Sequence, residues 1–284
     1  MHHHARRAAV LLLPVLAASA LAACSHTAMP RAGAATDAAT PEVLLLGEVH
    51  DSAAGHAARV ERLRARLAAG WRPAIAMEQF DSDRQPALDA AMRECADADC
   101  VVARAAPAKA GWTWPYYTPV IALALQYRLP LLAANFSRSD AGKVVGGGFA
   151  AALAPALIAD YGLDALPPAL LDAQQAEVRA SHCGLLPESM LAPMARAQVA
   201  RDVTMAETLR AHRADGVVLL AGNGHVRRDI GVPYWLRRAG LAAHAVGFLE
   251  PDNDASTFDE VVRIPAVERP DPCAELKAKM DAGN

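Results

Sequence analysis

The chain has 284 residues, 53% of them apolar, and a formal net charge of −3. That length and apolar share suit one large α/β domain ahead of two small ones. The balance of charge provides no broad basic field, which argues against nucleic-acid binding, and aromatic residues at 5% leave little for aromatic recognition.

At the N-terminus, Met1 to Arg7 is basic, Ala8 to Ala20 is apolar, and Leu21-Ala22-Ala23-Cys24 follows. This is the layout of a secretory signal, too short to span a bilayer as a stable helix. The small residues before Cys24 resemble the lipobox of bacterial lipoproteins. The resemblance implies cleavage before Cys24 and lipidation there, with Ser25 fitting outer-membrane sorting in a Gram-negative bacterium and the mature protein facing the periplasm. Residues 1–23 are therefore read as signal peptide and 24–41 as a lipidated, flexible Ala/Thr/Gly/Pro tether. Residues 42–264 form the α/β domain, and 265–284 a polar, mobile tail. Of the remaining cysteines, Cys95 with Cys100 would close a small Asp-rich turn and Cys183 with Cys273 would staple the tail, one of three pairings open.

The first apolar run, Val43 to Leu46, is too brief for a helix and ends in Gly47-Glu48-Val49-His50-Asp51. Asp51 or Ser52 caps a helix with Ala57, Val60, Leu63 and Leu67 on one face and arginines around the others. Ala74 to Met77 is the second strand, ending in Glu78-Gln79-Phe80, and a helix from Asp81 to Cys95 carries Pro86 in its first turn. Val101 to Pro119 reads as irregular and gathers Trp112, Trp114, Tyr116 and Tyr117. After a helix from Thr118 to about Arg128, the third strand, Leu131 to Ala134, ends in Asn135-Phe136-Ser137-Arg138. Residues 150–187 form an inserted helical layer, followed by a long helix over Ser189 to His212. The fourth strand, Val217 to Ala221, ends in Gly222-Asn223-Gly224-His225, read as a tight loop able to cradle an anion. Two further β-like runs, Ala243 to Leu249 and Glu260 to Ile264, complete the sheet. The expected fold is a three-layer α/β/α domain with a mostly parallel central sheet.

If the strands are parallel neighbours, Glu48, His50, Glu78, Asn135, Arg138 and His225 converge on one rim. Two carboxylates and two imidazoles there can bind a divalent metal, act as an acid–base pair, or hold one another in a polar network. Neither a P-loop lysine nor a GxSxG elbow is present.

Gly47-Glu48-Val49-His50-Asp51, Met77-Glu78-Gln79-Phe80, Ala134-Asn135, Ser181-His182-Cys183-Gly184-Leu185-Leu186-Pro187 and the run Gly222 to Pro233 together resemble the ChaN family. Its members are haem-binding lipoproteins in a superfamily shared with Tiki-type proteases and erythromycin-esterase-like enzymes. The resemblance implies haem at the surface, ligated by one tyrosine, with propionates held by His and Lys from another subunit of a homodimer. The candidate cofactor residues are Tyr234 first, then Tyr116 and Tyr117, with His225, Lys143 and His182 as partners; Tyr234 is the candidate iron ligand. The first functional reading is thus a lipid-anchored periplasmic haem carrier, exchanging haem with an outer-membrane receptor or periplasmic acceptor. The alternative is a hydrolase of esterase or protease kind, using the Glu/His rim as its catalytic groups.

Overall fold

Each β run is short, apolar and closed by a turn or helix cap, and the computed structural model joins six of them into one sheet. The structure describes residues 43–107 and 111–282. All of them belong to the second of two units into which the chain divides, Thr40–Asn284. The signal peptide, Cys24 and the tether lie outside the described residues.

The strands are β1 (Val43–Leu46), β2 (Ala74–Asp81), β3 (Leu131–Asn135), β4 (Val217–Leu220), β5 (His244–Leu249) and β6 (Glu260–Arg263). They lie in the order β3-β2-β4-β1-β5-β6, and every pairing is parallel. Parallel strands need crossovers that cover both faces, which explains the continuous Val/Leu/Ile runs. Alternation sorts the side chains: Val43 and Leu45 enter one core, Leu44 and Leu46 the other.

One face is covered by α1 (Ala53–Ala68), α2 (Gln85–Glu94), α3 (Ala98–Ala105) and α4 (Thr118–Tyr127). Ser52 begins α1 by accepting the Gly55 N–H at 3.1 Å. The opposite face carries α5 (Arg138–Gly147), α6 (Pro155–Tyr161), α7 (Pro168–Ser181), α8 (Glu188–Ala211), α9 (Asn223–Val226) and α10 (Val232–Arg238). Alanines at 195, 197, 200 and 206 let the long α8 approach closely. A last helix, α11 (Pro272–Ala282), ends the described chain.

Three segments depart from the sequence expectation. Part of the supposedly irregular 101–119 stretch is helical, because Asp97 accepts the Cys100 N–H at 2.8 Å and starts α3. The Gly222–His225 run is not an open anion cradle but a helical turn. Its amides are spent on Glu78, on Glu48 O and on Gly222 O, from residues 222, 223 and 225 respectively. The tail, expected to be polar and mobile except where Cys273 ties it, carries α11 among the described residues, and Arg269 joins its approach to Asp51 and Glu250. Both expected disulfides are present, Cys95–Cys100 and Cys183–Cys273, with Cα atoms 5.6 and 5.5 Å apart.

Candidate functional site

The strand order determines where a site can form. β1 and β2 are consecutive in sequence, yet β4 lies between them. Chain connections leaving opposite ways from adjacent strands open a crevice at their carboxyl ends. Glu48 follows β1, Glu78 lies near the end of β2, and Gly222 with His225 follows β4. The sheet therefore brings together acids and imidazoles separated by up to 177 residues in sequence.

Glu48 is 3% exposed and fully engaged. Its carboxylate accepts from Arg59, from the Tyr117 hydroxyl at 2.7 Å and meets His50 Nδ1 at 2.7 Å. Burial pushes its pKa up, but Arg59, His50 and Tyr117 outweigh this and hold it at about 2. Burial and the charge on Glu48 correspondingly push the Tyr117 phenol up. With Nδ1 donating to Glu48, His50 holds Nε2 on the Gly222 side of its ring, and its side chain is 53% exposed. Burial lowers the His50 pKa; Glu48 and Glu78 more than reverse that, so it is raised.

On the other side of Gly222, His225 Nδ1 lies 2.6 Å from Asp202, and Nε2 lies 3.6 Å from Glu78. Burial opposes the imidazolium, but these two carboxylates raise His225 to about 9. Burial raises Asp202 as well, so the pair retains a proton at neutral pH. Glu78 is fixed by the Gly222 N–H at 2.7 Å. A Cβ on Gly222 would stand 3.1 Å from His50 Cε1 and 3.7 Å from Glu78, so the glycine is what lets the halves meet. One half thus carries a half-exposed imidazole whose Nε2 makes no hydrogen bond among the described residues, and the other a buried imidazolium, two groups that can exchange protons with a bound molecule.

Asn135 and Arg138 lie apart from this centre. Asn135 bridges Asp81 at 2.9 Å and Arg201 at 3.1 Å, and both residues line a neighbouring cavity of about 500 Å³. A cavity of about 300 Å³ opens on the other side against His225, Asp202 and Gln174. Among the described residues no group of three or more His, Cys, Asp or Glu side chains is arranged to hold a metal ion.

Of the tyrosines, Tyr117 and Tyr161 give their hydroxyls to Glu48 and Glu207. Tyr116 stacks on His56 with ring centroids 4.7 Å apart. Tyr234 is half-buried on α10, edge-on to Trp235, with the Arg237 and Arg238 guanidiniums 5.7 and 5.9 Å from its ring. Lys143 is exposed and paired with Asp140, while His182 Nδ1 meets the Val178 carbonyl at 2.8 Å.

Arg59, Asp202 and Gln79 were not apparent as site residues from sequence. Arg59 reads as one of several helix arginines, although it falls between His56 and Val60 on the buried face. Asp202 carries a clearer signal, a carboxylate set among Val199, Val203 and Ala206 on the apolar stripe of α8.

An all-parallel sheet with an acid–imidazole crevice at its switch point defines the class of protein. The model of the family described as haem-binding uptake, Tiki superfamily, ChaN matches residues 34–236, and the chain belongs to that family. Among solved structures, ChaN of Campylobacter jejuni, described as binding haem cofacially, is 22% identical with a TM-score of 0.63. That match covers 78% of this chain and 86% of that one, and shows the fold. A mutant erythromycin esterase in its open conformation matches at 13% identity and a TM-score of 0.45, covering 74% and 70%. No curated protein matches.

Proposed function

We propose that this chain binds ferric haem at its surface and serves haem or iron acquisition as a lipid-anchored protein on the periplasmic side of the outer membrane. The observation that carries this is membership of a family described by haem-binding uptake. The lipobox-like Leu21 to Cys24 supports the anchor. An outer-membrane receptor or a periplasmic acceptor would exchange the haem, and a homodimer would enclose it.

The residues present suit such a group. Bound haem contributes a ferric centre that takes an anionic oxygen ligand. Among the described residues the Tyr234 hydroxyl makes no hydrogen bond, and Tyr234 has an apolar neighbour in Trp235 and two guanidiniums at hand for carboxylate groups. Tyr116 is a second free phenol, whereas the phenol of Tyr117 is already used by Glu48. Titrating the 25–284 fragment with ferric haem should give a tyrosinate spectrum that Tyr234→Phe abolishes. Affinity should fall by more than the ~10–100-fold typical of an outer-shell partner. An unchanged spectrum removes Tyr234 as the ligand.

A second reading, hydrolysis, is favoured by the two oriented imidazoles. His50, aligned by Glu48, would take the proton of an attacking water, and His225, charged between Asp202 and Glu78, would stabilise the oxyanion and protonate the leaving group. In a screen of simple esters, His50→Asn should lower turnover by about 10²–10⁴-fold while haem affinity stays constant. Equal turnover in the two proteins rejects the reading.

A further inference from the structure

The cavity beside Asn135 is used by neither reading. It measures about 500 Å³, within the range of small-molecule sites. Its lining is unlike that of the centre: two guanidiniums, Arg138 and Arg201, one aromatic wall, Trp112, and the carboxyls of Asp81 and Asp83.

The cations are available to a ligand. Arg138 is exposed at the first turn of α5 and, among the described residues, makes no hydrogen bond through its side chain. Arg201 gives Nη1 to Asn135 at 3.1 Å, but its Nε is buried without an acceptor. An orphaned guanidinium N–H in a polar cavity is costly unless something accepts from it. Asp81 accepts from the Asn135 amide at 2.9 Å but receives nothing from Arg201 Nε. Trp112 also meets the His50 ring edge-on, centroids 5.1 Å apart, so the cavity and the acid–imidazole centre share a wall.

We infer that this cavity is a binding site for a small carboxylate carrying an apolar or aromatic body, gripped by Arg138 and Arg201 and backed by Trp112. A planar carboxylate matches the guanidinium fork. The aromatic wall suits the body that carries it. Charge selects carboxylate over phosphate. Asp81 and Asp83 share the lining with the two arginines, so a dianion meets more repulsion there than a monoanion. The site is independent of haem, because Tyr234, Arg237 and Arg238 contribute nothing to its lining. It is also independent of whether His50 reacts, because His50 is not among the residues lining it.

Benzoate serves as the probe, with the intact mature chain in calorimetry or ligand-observed NMR. Benzoate should bind, and Arg138→Gln should weaken it about tenfold or more. Arg138 is exposed, so this variant retains the fold, which an unchanged melting temperature verifies. Arg201→Gln should weaken binding similarly, while Arg93→Gln on α2, a loss of surface charge elsewhere, should not. Phenyl phosphate should bind more weakly than benzoate. Benzoate should also remain bound when ferric haem is added. The inference is overturned if benzoate fails to bind at its solubility limit, or if Arg138→Gln binds it as tightly as the parent. Tighter binding of phenyl phosphate overturns the choice of carboxylate, and displacement by haem overturns independence. None of these readouts requires turnover, so an inactive protein leaves the inference standing or falling on its own.

Discussion

Glu48 and His225 stabilise the fold over opposite ends of the pH scale. Glu48 is held at about 2 against an ordinary 4.5, so its contribution is present above 4.5 and disappears as pH falls towards 2. His225 is raised to about 9 from 6.5, so its contribution is complete below 6.5 and is lost as pH rises through 9. Chemical denaturation followed against pH should therefore show greatest stability, as far as these two groups decide it, between about 4.5 and 6.5. Glu48→Gln should flatten the acid limb and His225→Asn the alkaline one; a curve unaffected by either change would contradict the assigned couplings. At this scale the sequence was half legible. Glu48, His50, Glu78 and His225 announce themselves at strand ends, where a polar group after an apolar run needs an explanation. Their supports do not: Arg59 is one arginine among several on α1, and only the fold reveals which one is buried against Glu48.

Among the elements, the turn after α9 has little room to change. A Cβ on Gly231 would lie 2.4 Å from the His225 carbonyl oxygen and 2.9 Å from that of Arg227, both backbone atoms with nowhere to retreat. Gly231→Ala should cost about 1–3 kcal/mol in urea unfolding and shift His225 from Asp202. Gly224→Ala, where a Cβ meets nothing within 4 Å, is the matched control and should be close to neutral. The strands were readable because buried parallel strands leave continuous apolar runs with polar exits. The start of α3 was hidden by its eight-residue length and by an Asp-rich prelude that reads equally as turn or cap. The Gly222 run misled for a related reason: glycines permit unusual backbone, but here they provide space, and Gly222 keeps an ordinary negative φ of −54°.

For the whole molecule, the decisive fact is strand order, which no local pattern encodes. That β4 enters between β1 and β2 is what turns three separate motifs into one crevice. The disulfide pairing was narrowed by spacing but required the folded distance to decide it. The same long-range logic applies to the tail. Arg269 reaches Asp51, the neighbour of His50, and Cys273 is bonded to Cys183 across 90 positions. The six described strands are complete by residue 263, and Arg269 and Cys273, beyond them, tie back to Asp51 and Cys183. Losing the Cys183–Cys273 bond in a reducing compartment would therefore loosen a segment that holds Asp51 beside His50.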